Sequence, residues 1–93
     1  MNIQVISKSK KIRTGLCEGI CYRLWKDGIP ILSNRKSRRN GVIIFRTNKT
    51  IFTVEFLQRV VEDNDTSVNR FFYNECDVDG LYSKILGLVT GGK

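Results

Sequence analysis

Ninety-three residues, 41% of them hydrophobic, are enough for one small core and too few for two, and the apolar content is too high for a disordered chain. The longest clean apolar run, Val42 to Phe45, is far short of the ~20 residues of a transmembrane helix, and the Ile3 to Ile6 patch precedes the first lysines, the wrong order for a signal peptide. A net charge of +7 with three cysteines and no histidine points away from a disulfide framework and a zinc site, and toward a basic, reduced, cytoplasmic protein with no membrane segment, cofactor or metal.

In chain order, Asn2 to Ile6 reads as a short strand because β-branched residues dominate it, which also argues against an amphipathic transit peptide. Residues 7–14 read as a polar loop or arm carrying Lys8, Lys10, Lys11 and Arg13. Over 19–33, Asp27-Gly28 between two apolar-rich runs predicts a β-hairpin with a type I′ turn. Period-two alternation in its first arm assigns Ile20, Tyr22 and Leu24 to the core and sets Arg23 beside Trp25 on the open face. Pro30 makes the second arm, Ile29 to Leu32, an edge strand or one that leaves the ladder early.

Residues 34–41, with Arg35, Lys36, Arg38 and Arg39 between turn formers, read as an exposed basic loop. Val42 to Arg46 is a strand, residues 47–50 a turn, and Ile51 to Thr53 a further strand or the lead into a helix. From there Val54, Leu57 and Val61 recur at helical spacing, predicting a helix over 54–63 that ends in the acidic run Glu62 to Asp65. Asp65 or Thr66 caps a second helix to about Asn74, with Val68, Phe71 and Phe72 as its stripe. Asp77 or Asp79 caps a third, with Leu81, Ile85 and Leu88 on one side. The tail, 90–93, is expected to fray.

The fold expected is therefore a single α+β domain over 1–93. A small, hairpin-rich antiparallel sheet from the basic half, 1–53, packs against two or three helices from the acidic half, 54–89.

Charge carries the functional reading. Residues 1–50 hold twelve Lys/Arg against Glu18 and Asp27, a net of +10, whereas 51–93 hold four against seven Asp/Glu, a net of −3. Such segregation is the footprint of a polyanion-binding surface, since solubility needs a modest net charge and no segregation. Lys10, Lys11, Arg13, Arg35, Lys36, Arg38 and Arg39 are expected on phosphates, and Arg23, Trp25 and Lys26 nearer to bases. Duplex DNA is the first partner expected and RNA the second, with a repressor-like regulator the simplest role and a homodimer compatible with it. The rival is an inhibitor or adaptor whose basic patch docks on an acidic protein.

Other constellations are weaker. A helix-turn-helix over the two middle helices would present Thr66, Ser67, Asn69 and Arg70 to a groove, but its acidic turn suits phosphates badly. Glu75, Asp77, Asp79 and Gly80 imitate half of a calcium loop, whose twelfth position would be Leu86 instead of a bidentate Glu. With no histidine, Walker loop or nucleophile elbow, no enzyme activity is expected.

Overall fold

The computed structural model describes residues 1–48, 50–60 and 68–90. The chain is α+β, and its elements run β1 (Asn2–Ile6), α1 (Lys10–Lys26), α2 (Arg35–Arg39), β2 (Val42–Thr47), β3 (Thr50–Leu57), β4 (Asn69–Phe72) and α3 (Val78–Val89). Among the described residues the sheet has four strands in the order β2-β3-β1-β4. It is mixed rather than antiparallel: β1 lies in its interior, parallel to both β3 and β4, and only β2 and β3 form a hairpin. A parallel neighbour has to be reached by a crossover, and α1 and α2 lie in the one between β1 and the hairpin.

The register aligns Ile3 with Val54, Val5 with Phe56, Ile43 with Val54 and Phe45 with Phe52, so these buried side chains share one face. Leu16, Ile20 and Leu24 of α1 and Leu81, Tyr82 and Ile85 of α3 complete the same core. Phe45 and Phe52 stack across the hairpin at 5.4 Å.

The expected 19–33 hairpin is replaced by α1, and the loop-like stretch before it supplies that helix's first turn. Ser9 caps the helix, accepting from the Ile12 amide at 3.3 Å. Ile12, Leu16, Ile20 and Leu24 then repeat every fourth residue, the spacing of a single helix face. Gly15 and Gly19, poor residues for a helix interior, stand where α3 and its lead-in approach. A Cβ on Gly19 would lie 2.7 Å from the Val78 side chain, and one on Gly15 3.2 Å from the Cys76 sulfur.

Asp27-Gly28 ends this helix instead of turning a hairpin. Gly28, at φ 75°, donates to the Trp25 carbonyl and Ile29 to that of Leu24, both at 3.0 Å, which is the paired bonding of a Schellman motif. The segment after Pro30 runs along the outer edge of β2: Ile31 bridges Phe45, and the Leu32 amide donates to the Ile44 carbonyl at 2.7 Å. Part of that edge is thereby covered.

The basic loop 34–41 contains α2, five residues capped by Asn34, whose side chain accepts from the Ser37 amide at 2.8 Å. Gly41, at φ 80°, lets the chain pass so close to β3 that a Cβ would meet the Phe56 carbonyl oxygen at 3.1 Å. The hairpin turn after β2 is as expected, with Asn48 at φ 44°.

Two expected helices give way to strands. Residues 54–57 continue β3, because Phe52, Val54 and Phe56 alternate into the core beside β1. Residues 69–72 form β4 on the other side of β1. Residues 58–60, also expected in the first of those helices, bend away from the end of β3 without helical structure. Its last residues, 61–63, with the acidic run Glu62 to Asp65 and the caps Asp65 and Thr66, fall outside the described residues, as does the tail beyond Thr90. The third helix, α3, is present and Asp77 caps it, accepting from the Gly80 amide at 3.0 Å.

Candidate nucleic-acid interface

Two grooves adjoin along one flank of α1, where α2 lies across from it. Cys17, Glu18, Arg38 and Arg39 line both. The first groove, about 640 Å³, adds Cys21, Tyr22, Trp25, Ile31 and Arg35. The second adds Lys10, Arg13 and Thr14 from the start of α1 and Gly41, Phe56 and Leu57 from the sheet side. Side chains spaced three or four apart in a helix lie on one face, so Lys10, Thr14, Glu18, Cys21 and Trp25 form a continuous stripe of about 22 Å at 1.5 Å per residue.

Six of the ten residues expected at the site therefore meet: Lys10, Arg13, Trp25, Arg35, Arg38 and Arg39. Four do not line these grooves. Arg23 points the other way and pairs with Asp79 of α3. Its expected place beside Trp25 rests on strand alternation, whereas residues two apart on a helix diverge by about 200°. Lys11 lines a neighbouring surface with Ile12, Gly15 and Cys76. Lys26 and Lys36 are exposed outside both grooves.

Two of the arginines are positioned by the backbone. Arg13 donates to the Ser7 carbonyl at 2.6 Å and Arg38 to the Ser33 carbonyl, and both are half-buried. The Cys17 thiol donates to the Arg38 carbonyl at 3.4 Å, tying α1 to α2. Bonds to carbonyls leave the guanidinium charges uncancelled. Arg23–Asp79 is the only ion pair among the described residues, and Glu18 is the only carboxylate lining either groove. Burial, followed by the neighbouring Cys21 and Glu18, pushes the Cys17 thiol up to about 11, so it stays protonated at neutral pH and is a poor nucleophile.

Strand alternation assigns Tyr22 to the core. It is instead 55% exposed, with its ring 6.0 Å from that of Trp25, which is itself 69% exposed. The four-residue repeat of Ile12, Leu16, Ile20 and Leu24 is the signal that places both rings outward.

The weaker constellations resolve into structural roles. Asn69 and Arg70 belong to β4, and the Arg70 Nε donates to the Gln4 Oε1 at 2.9 Å, so they form no recognition helix; Thr66 and Ser67 fall outside the described residues. Asp77 caps α3 while Asp79 pairs with Arg23. Among the described residues no three His, Cys, Asp or Glu side chains gather as a metal site, and no helix is long and apolar enough to cross a membrane. No protein-family model, curated protein or solved structure matches the chain.

Proposed function

We propose that this protein binds nucleic acid, DNA in the first instance, in the grooves between α1 and α2, and that it acts as a small non-enzymatic cytoplasmic regulator that occupies its site as a repressor does. The observation that carries this reading is the convergence of Lys10, Arg13, Arg35, Arg38 and Arg39 on adjoining grooves lined by a single carboxylate. Five cations gathered around one counter-charge raise the local potential, and each one that meets a phosphate adds to the release of condensed counterions. Arginine's forked donors suit phosphate oxygens. The free Cys17, Cys21 and Cys76 agree with a reducing compartment.

The test is an anisotropy titration of a labelled oligonucleotide at about 50 and about 200 mM salt. Affinity should fall steeply with salt for the parent protein. In a Lys10→Gln, Arg35→Gln, Arg39→Gln variant, the slope of log K against log salt should shrink by about 0.7 to 0.9 for each phosphate that no longer meets a cation. Equal slopes for the two proteins would remove these grooves from the interface. Retained binding to an acidic protein with no oligonucleotide binding at low salt would favour the adaptor reading.

A further inference from the structure

The two ends of the α1 stripe differ in chemistry. Near the start of α1 the groove is cationic, with Lys10 and Arg13 beside Arg38 and Arg39. Near its end the groove is walled by Tyr22, Trp25, Cys21 and Ile31, with Arg35 at its rim. The Tyr22 and Trp25 rings are tilted by 36° to one another and more than half exposed, so each leaves open area that no neighbouring side chain covers. Exposed aromatics side by side cost hydration free energy. Their presence at the mouth of a cationic groove is the pairing that single-stranded nucleic acid requires, with phosphates tracked by basic groups and a base stacked on a ring.

We infer that the ligand is a single strand, with its phosphates on Lys10, Arg13, Arg38 and Arg39 and an unpaired base on the Trp25 and Tyr22 platform. This rests on the nucleic-acid reading above and sharpens it. In a duplex the base faces are already stacked on one another and only edges and phosphates are offered, so the rings would stay uncovered. Reading the edges of a duplex calls for a helix that enters the major groove. The five-residue α2 is too short to do so, and the outward stripe of α1 carries Glu18 and the Trp25 ring with Lys10 as its single cation.

Trp25 is the chain's only tryptophan, so its fluorescence reports the platform directly. The experiment titrates the full chain at about 50 mM salt with single-stranded oligo(dT), single-stranded oligo(U) and a random-sequence duplex, each ten nucleotides long. Binding is read by anisotropy and stacking by Trp25 quenching. The expected result is at least tenfold tighter binding of one or both single strands than of the duplex, with quenching that saturates at the same concentration as binding. The stronger of the two single strands identifies the sugar preferred. Trp25→Ala should weaken single-strand binding by about 5- to 150-fold, the value of one base–aromatic stack, and Trp25→Phe should restore most of it. Duplex bound as tightly as single strand, without quenching, overturns the single-strand inference and leaves the nucleic-acid reading standing. Unchanged single-strand affinity in Trp25→Ala overturns it equally. Failure of all three oligonucleotides to bind overturns both.

Discussion

Toward α3, α1 presents Gly15, Gly19 and Arg23; toward α2 it presents Lys10, Arg13, Tyr22 and Trp25. On the first flank the glycines remove side chains so that Val78 and Cys76 can approach, the Arg23 charge is met by Asp79, and Tyr82 donates to the Asp27 carboxylate at 2.5 Å. On the second flank the arginines are held by carbonyls that leave their charge intact, and two aromatic rings stand in the open. One helix thus has a flank whose polar groups are consumed by the fold and a flank whose polar groups are available. The difference shows that a count of cations per segment does not measure a binding surface; what matters is which of them have been neutralised.

The strongest attack on this division is to wedge the packed flank apart. Gly19→Leu should destabilise the protein by about 1–3 kcal/mol through overpacking against Val78, seen as a lower urea midpoint. Oligonucleotide affinity of the molecules that remain folded should be unchanged. A matching loss of affinity would mean the two flanks are not independent.

Alkaline pH probes the packed groups next. Burial raises the Cys17 thiol from 9.0 to about 11, and burial with the Asp27 acceptor raises the Tyr82 phenol above its ordinary value of 10.0. In both cases the fold favours the protonated form. The stability they contribute is therefore complete below pH 9 and is lost as pH climbs through the window from 9 to 11 and beyond. The urea midpoint should fall over that range, and Cys17→Ala should flatten the first part of the fall. A midpoint independent of pH up to 11 would contradict the burial of both groups.

Removing the α3 cap by Asp77→Ala should cost about 1 kcal/mol, measured by thermal or urea unfolding, because the Gly80 amide loses its acceptor. The smallest effect belongs to the charge pair. Arg23 and Asp79 are 40% and 74% exposed, so Asp79→Asn should change stability by less than about 1 kcal/mol. Arg23→Gln should leave the salt slope of oligonucleotide binding intact, while Arg39→Gln reduces it. Equal reductions from the two would erase the distinction between the flanks.

Much of the fold is legible where local chemistry and tertiary context agree. β1 follows from Ile3, Val5 and Ile6, the β2–β3 hairpin from the turn at Asn48, and α3 from its Asp77 cap and its Leu81 and Ile85 stripe. α1 is obscured because Gly15 and Gly19 weaken any helix considered alone, and because Asp-Gly serves a helix C-terminus as well as a hairpin turn. β3 and β4 are obscured because short apolar clusters such as Val54 to Leu57 and Val68 to Phe72 satisfy either period, and the choice falls to the strand they pair with. The candidate site shares that fate. Most of its cations are identifiable from composition, but strand alternation sends Tyr22 inward and sets Arg23 beside Trp25, whereas the helix turns Tyr22 outward and Arg23 toward Asp79 of α3.

By itself, then, the sequence determined an α+β chain with a concentrated positive charge in its first fifty residues, because residue type and net charge need no partner to be read. Tertiary structure alone decided that β1 would run between parallel neighbours, that two glycines would seat α3, and that Lys10, Arg13, Arg35, Arg38 and Arg39 would converge while Arg23 would be neutralised. The physical reason is that pairing, close approach and charge compensation are made between residues distant in the chain, and no local preference encodes the partner.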